Sequence, residues 1–299
     1  MSTTITKELD TCAESHAATG LKNILFATDF SAPSMKAFPY VIALAKKFGA
    51  SVFASHVITP TSLVAAAPQA ASYVYEAEYN SATQEVENIL DSPDLKGLNT
   101  EALLSSGILE EVLMDEINKN KIDLVIAGTH GRTGWRRLLL GSAVEAICRV
   151  ATCPVFTVGP EAPDAEINFR NILVPTDLSE ESMRSLPFVV QLAGEYGGSV
   201  TVLHVLPEET AGNPDAKALS EPVCANMARI FQEQLGSLKA EYVIESGKTV
   251  ATILKVASEK KADLIAMGVR RAFLPEFQPR MSVAYRVMAG AHCPVVTCR

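Results

Sequence analysis

Residues Gly128–Ala143 read GTHGRTGWRRLLLGSA. The stretch follows an apolar run, Asp123-Leu-Val-Ile-Ala127, and precedes Val144-Glu-Ala-Ile-Cys-Arg-Val150. The first run predicts a buried strand and the second a short helix, so the glycines lie in a strand-to-helix connection. Gly128 and Gly131 carry no Cβ, which lets the backbone leave a strand tightly and lie close to a ligand. Gly141-Ser142 stands where the helix begins. There the free N–H groups, the positive end of the helix dipole and a hydroxyl together favour a phosphate. A glycine-rich surface loop closed by a helix-capping serine fits the same residues.

Outward from this stretch, the chain repeats itself. Lys22-Asn-Ile-Leu-Phe-Ala-Thr-Asp-Phe-Ser31 returns as Arg170-Asn-Ile-Leu-Val-Pro-Thr-Asp-Leu-Ser179. Ser51-Val-Phe-Ala-Ser-His-Val57 returns as Ser199-Val-Thr-Val-Leu-His-Val205, and Cys153-Pro-Val-Phe-Thr-Val158 as Cys293-Pro-Val-Val-Thr-Cys298. Early matches are 148 positions apart and late ones 140, so the second copy lacks eight residues between Val205 and Ser246. A period this long is a duplicated domain rather than a solenoid unit. The 299 residues suit two domains: 21–159 and 169–299, joined by a Pro-rich acidic linker at 160–168. Residues 1–20 hold no apolar stretch; they are expected to be a disordered lead and not a signal peptide.

Each copy alternates strand and helix. In the first, strands are expected at Asn23–Thr28, Ser51–Val57, Asn99–Leu104, Asp123–Ala127 and Pro154–Val158. Helices are expected at Pro33–Phe48 (Ser31 as cap, Gly49 as stop), Ser72–Leu90 and Ile108–Lys119. Strands apolar throughout are buried on both faces, which indicates a parallel sheet. The fold class is therefore α/β: two doubly wound, parallel, five-stranded, Rossmann-like sheets in tandem.

In such sheets ligands bind beyond the carboxyl ends of the strands, where strand order reverses. Thr28-Asp29, Val57 and the Gly128–Ser142 loop all fall there. Asp29 can accept from an exocyclic amine or serve as a turn or cap residue. Val57 can wall a flat base, and the loop can hold ribose and phosphates. His56 and His204 end matching strands, and a structural role suits them better than a metal role. The net charge of −8 argues against nucleic acid or an anionic membrane as the main partner. Six cysteines without a zinc spacing fit a reducing compartment, hence the cytoplasm.

The spacing Gly-x2-Gly-x9-Gly-Ser at Gly128, Gly131, Gly141 and Ser142, with Asp29 after the first strand and a closing Cys-Pro-Val strand, resembles the universal stress protein family. The resemblance covers nearly everything after residue 20, in two copies. It implies an adenine nucleotide alpha hydrolase-like fold and a tandem stress-response regulator with ATP, accompanied by Mg2+, as ligand. On that resemblance Thr28 and Asp29 lie at the adenine, Val57 lines its pocket, and Gly128 and Gly131 pass the ribose and phosphates. Gly141, Ser142 and Ala143 seat the phosphate, with Arg132 adding charge or standing solvated. It also implies an intramolecular pseudo-dimer through Pro154–Val158 and Pro294–Cys298, with a homodimer and a regulatory protein as further partners.

The second copy keeps Asp177, Val205 and Gly268 but carries Arg271 and Met281 in place of the second and third glycines, with Pro275 and Pro279 between them. One nucleotide per chain is expected, in the first copy. The Gly-x4-Gly-Lys-Ser/Thr loop of a P-loop enzyme is absent, and no Ser-His-Asp set can be assigned. The chain therefore reads as a nucleotide-responsive regulator, not an enzyme, with slow incidental ATP hydrolysis left open. The alternative is a non-enzymatic interaction or scaffold protein in which nucleotide is structural or absent.

Overall fold

Strands apolar on both faces cannot face water, and both repeats bury them under helices. The computed structural model describes residues 3–7, 20–59, 71–129, 140–163, 167–210, 214–270 and 282–299. These fall into two units, one of 21–129 and 140–160, the other of 3–7, 20 and 161–299.

The first unit runs β2 (Asn23–Ala27), α1 (Ala32–Met35), α2 (Phe38–Phe48), β3 (Ser51–Ile58), α3 (Ala71–Leu90), β4 (Thr100–Ser106), α4 (Leu109–Lys119), β5 (Leu124–Gly128), α5 (Ser142–Val150) and β6 (Val155–Val158). Its strands are parallel in the order β4-β3-β2-β5-β6. Strand order therefore reverses between β2 and β5. Ile24, Leu25, Phe26, Leu124, Val125 and Ile126 are wholly buried there. At the amino end of that pair, one Asp123 carboxylate oxygen accepts from the backbone N–H of both Lys22 and Asn23, each at 2.9 Å.

The second unit repeats the plan with β7 (Asn171–Thr176), α6 (Leu186–Tyr196), β8 (Ser199–Leu206), α7 (Pro214–Leu235), β9 (Lys239–Ser246), α8 (Thr249–Glu259), β10 (Leu264–Gly268), α9 (Val283–Gly290) and β11 (Val295–Cys298). Asp263 makes the same clamp to the N–H groups of Arg170 and Asn171. Much of the eight-residue shortening lies between α7 and β9. Residues 236–238 turn there through Gly236 at φ 57°, where the first unit uses 91–99 and a 3-10 turn at Pro93–Leu95.

Three sequence expectations change. The helix expected over Pro33–Phe48 is two helices, because Pro39 cannot donate to the carbonyl of Met35 and its ring would collide with it. Ser31 does cap the first, accepting from the Ser34 N–H at 3.3 Å, and Gly49 ends the second at φ 65°. The lead expected to be disordered contributes β1 (Thr3–Lys7), antiparallel to β9 from Thr3↔Ile244 to Lys7↔Ala240. Thr-Thr-Ile-Thr is rich in β-branched residues, and β9 would otherwise expose unpaired backbone groups. The sheet of this unit is thus five parallel strands plus one antiparallel strand, in the order β1-β9-β8-β7-β10-β11.

The core of the first unit also holds an acid. Glu116 on α4 is buried and accepts from the hydroxyls of Ser55 on β3 (2.6 Å) and Ser105 on β4 (3.1 Å). Burial pushes its carboxyl above the ordinary 4.5, and Asp115 pushes the same way; the two serine hydrogen bonds oppose this without cancelling it. Leu203 and Val256 occupy the places of Ser55 and Glu116 in the second copy. A folded-state pKa above the unfolded one favours folding fully below about pH 4.5, the unfolded value, and that contribution is lost as pH rises through the folded value. Glu116→Gln keeps an amide in place of the protonated acid. It is expected to remove this loss, so that the variant gains on wild type as pH rises from 4 to 8 in urea denaturation. A stability difference independent of pH would show that Glu116 titrates as an ordinary exposed glutamate.

Candidate functional site

At the reversal between β2 and β5 the chain leaves β2 through a strained turn. Phe30 has φ 62°, uncommon for a non-glycine residue. The neighbours that hold it are polar. Asp29 Oδ1 accepts from the Ser31 N–H (3.1 Å) and hydroxyl (2.6 Å). The Thr28 hydroxyl accepts from the Phe30 N–H (3.0 Å) and pairs with the Ser34 hydroxyl (3.0 Å). His56 Nδ1 donates to the Thr28 carbonyl at 2.8 Å, and its ring lies 4.4 Å from that of Phe30. His56 is thus a brace for the end of β2. Val57, next to it at the carboxyl end of β3, is half-buried.

Gly128 ends β5 against this turn. A Cβ there would come within 2.7 Å of Ser34 Cα and 2.8 Å of the Pro33 carbonyl oxygen. Close packing of α1 is therefore a sufficient reason for this glycine, where the sequence suggested approach to a ligand. Next, the Thr129 N–H donates to the Val158 carbonyl (2.9 Å), and the Gly141 N–H donates to the Thr129 carbonyl (2.8 Å). That last bond ties the start of α5 to the end of β5. Gly141 is the N-cap, extended at φ −63° and ψ 147°, and Ser142 is the first helical residue. Ser142 and Ala143 are exposed. The structure thus brings Thr28, Asp29 and Gly128 together around α1 and fastens Gly141–Ala143 to the same strand end. Gly131 and Arg132 lie outside the described residues.

The second unit copies the turn. Asp177 Oδ1 accepts from the Ser179 N–H and hydroxyl, Leu178 takes φ 64°, and His204 Nδ1 donates to the Thr176 carbonyl at 2.8 Å. Partial burial works against the charge on Asp177, but hydrogen bonds from Ser179 and Ser182 outweigh it and hold the carboxyl below the usual 3.8. Two features differ. The Arg270 guanidinium, largely exposed, stands 3.9 Å from Glu181. Ser282 is itself the N-cap of α9, and its hydroxyl accepts from the Tyr285 N–H at 3.1 Å. The helix here starts one residue later than α5, and its serine caps it. Ser282→Ala is expected to destabilise the unit by about 1 kcal/mol. A chemical denaturation midpoint unchanged by the substitution would refute the cap. Arg271, Pro275, Pro279 and Met281 lie outside the described residues.

Among the described residues no three His, Cys, Asp or Glu side chains group as a metal site. Burial pushes the thiols of Cys153 and Cys293 up to about 12, which leaves them unreactive near neutral pH. No helix among the described residues is long and apolar enough to cross a membrane.

The family model described as "Universal stress protein family" matches residues 20–159 and again 168–299. The chain belongs to the universal stress protein family. It is a tandem member, with each unit carrying one copy of the domain. A universal stress protein of Methanocaldococcus jannaschii, MJ0531, is 32% identical over 141 residues, covering 46% of this chain and 81% of the relative. The crystal structure of a universal stress protein from Archaeoglobus fulgidus superposes with a TM-score of 0.66 at 20% identity, covering 93% of this chain and 98% of that one; at this identity it speaks for the fold alone. Another universal stress protein structure, similar over 44% of this chain and 98% of its own at 20% identity and a TM-score of 0.35, is a complex with cAMP.

The sequence reading missed Glu116, Asp123 and Asp263. The first had a signal, an acid where the second copy has Val256. The other two stand before matching strands, as Asp123-Leu and Asp263-Leu.

Proposed function

We propose that this universal stress protein binds ATP, with Mg2+ on its phosphates, in the first unit only, and that nucleotide state changes its conformation or assembly in the cytoplasm. The observation that carries this reading is the start of α5. Gly141 has no side chain, Ser142 and Ala143 are exposed, and the helix mouth is anchored beside the reversal of strand order. A helix start of this kind offers several N–H donors and a partial positive charge to a phosphate. Val57 stands at the neighbouring strand end, where a base would lie. The second unit engages the matching serine as its own cap, which supports one ligand per chain. The role is regulatory rather than catalytic: Asp29 and Asp177, the acids at the two reversals, are taken up by Ser31 and Ser179 in turns.

Calorimetric titration with ATP tests the proposal. The expected result is one ATP per chain, bound more tightly than GTP. Two ATP of comparable affinity would return the second unit to consideration, and no heat at all would favour the scaffold reading.

A further inference from the structure

Helix α3 runs from the carboxyl end of β3 back to the amino end of β4, so its first turns stand at the end of the sheet that holds the candidate site. Tyr75 and Tyr79 lie there, 43% and 40% exposed, with ring centroids 6.1 Å apart. They continue the helical stripe of Ala82, Val86 and Ile89, which is buried, so both lie on the side of α3 that packs on β3 and β4. The Tyr75 hydroxyl donates to that of Ser106, the last residue of β4, at 3.4 Å. Successive strand residues face opposite sides of a sheet. Ser55 and Ser105 reach Glu116 on the α4 side, so Val57 shares that side, whereas His56 and Ser106 belong to the other. The Phe30 ring lies 4.4 Å from that of His56. Aromatic rings thus flank the end of β3 from both neighbouring strands, Phe30 after β2 and Tyr75 over β4, with Val57 on the opposite side.

The second unit lacks both rings. Leu178 stands in place of Phe30. Ser246 pairs with Leu206 as Ser106 pairs with Ile58, but its hydroxyl accepts from that of Thr210 at 3.1 Å. We propose that Tyr75 is a specificity-determining residue of the first unit: its ring closes the β4 side of this notch and stacks on the base of the bound nucleotide. This rests on the reading that ATP binds there. N–H groups at the mouth of α5 recognise phosphate alone and carry no information about the base. Selection of a nucleotide over a bare polyphosphate therefore needs a side chain at the other end of the ligand. An aromatic ring supplies a large flat contact and a preferred stacked geometry that an aliphatic wall such as Val57 does not. The hydroxyl bond to Ser106 holds the ring at the strand end, while much of the ring stays open to a ligand.

The test is calorimetric titration of the full chain with ATP and with inorganic tripolyphosphate, both with Mg2+, in the wild type, Tyr75→Ala and Tyr75→Phe. Tyr75→Ala is expected to weaken ATP by about fivefold to 150-fold, the usual worth of one base–aromatic stack. Tyr75→Phe keeps the ring and is expected to keep the ATP affinity. Tripolyphosphate is expected to bind all three proteins alike, which also shows that the variants are folded. Unchanged ATP affinity in Tyr75→Ala overturns the proposal. So does a loss in Tyr75→Phe equal to that in Tyr75→Ala, or tripolyphosphate weakened as much as ATP. A wild type that binds tripolyphosphate as tightly as ATP overturns the stack and leaves the phosphate site standing. A wild type that binds neither overturns the stack and the ATP reading together.

Discussion

Gly128→Ala is expected to cost the first unit about 3 kcal/mol, at the upper end of what inserting atoms into a packed site costs. The new Cβ would meet Ser34 Cα at 2.7 Å and the Pro33 carbonyl oxygen at 2.8 Å, both backbone atoms. Neither can rotate away. They belong to the turn that also fixes Asp29, Phe30 and Ser31, so relief would move the whole turn. Gly268→Ala is expected to be at least as damaging, because its Cβ would collide with the Glu181 carbonyl. Urea denaturation of the two variants provides the measurement. Against a typical stability of about 5–15 kcal/mol, such a loss is a large fraction. Had these glycines been kept only for ligand approach, the substitution would weaken nucleotide binding and leave stability alone. A loss below about 1 kcal/mol in both variants would refute the packing explanation.

Ser142→Asp is expected to move stability and binding in opposite directions. An acid in the first turn of α5 complements the helix dipole and should add about 0.3–1 kcal/mol. The same carboxylate would meet an ATP phosphate at the helix mouth. Two like charges about 4 Å apart repel by about 1–4 kcal/mol between bulk water and a protein surface, roughly fivefold to nearly a thousandfold in affinity. The expected outcome is therefore a slightly higher melting temperature with ATP affinity reduced by at least about fivefold. Ser142 is exposed, so the folded state tolerates the change. Unaltered ATP affinity would remove the start of α5 from the site, wherever else nucleotide bound. Loss of both affinity and stability would mean that the helix start itself had moved.

The two predictions rest on features read at different distances. The strand–glycine–helix order around Gly128 and Gly141 was legible because local pattern sets it: an apolar run of strand length, residues without Cβ, and a periodic apolar segment. Ser31 and Gly49 were legible as cap and stop because capping is a contact between near neighbours. The duplication was legible because internal repetition needs no geometry. Parallel strands placed Asp29, Val57 and the Gly128 loop at one end of the first unit's sheet.

What local pattern could not settle was who stands opposite whom. That Gly128 faces the backbone of Pro33–Ser34, that Glu116 is buried between Ser55 and Ser105, and that Asp123 clamps Lys22 and Asn23 are all contacts across 61 to 101 residues, apart from Ser105 at 11. A glycine needed for close packing and one needed for a ligand have the same letter, and an acid on an amphipathic helix has the same letter buried or exposed. The N-terminal Thr3–Lys7 carried strand propensity, but only an unpaired edge at β9 makes that propensity a strand. By itself the sequence determined the α/β class, the tandem repeat and the end of each sheet where a ligand would sit, because these follow from periodicity and chain sterics. The tertiary structure alone decided which residues are committed inward at that end, Thr28 and Gly128 among them, and which remain exposed at the helix mouth, Ser142 and Ala143. Burial and hydrogen bonding between distant segments exist only once the chain has closed on itself.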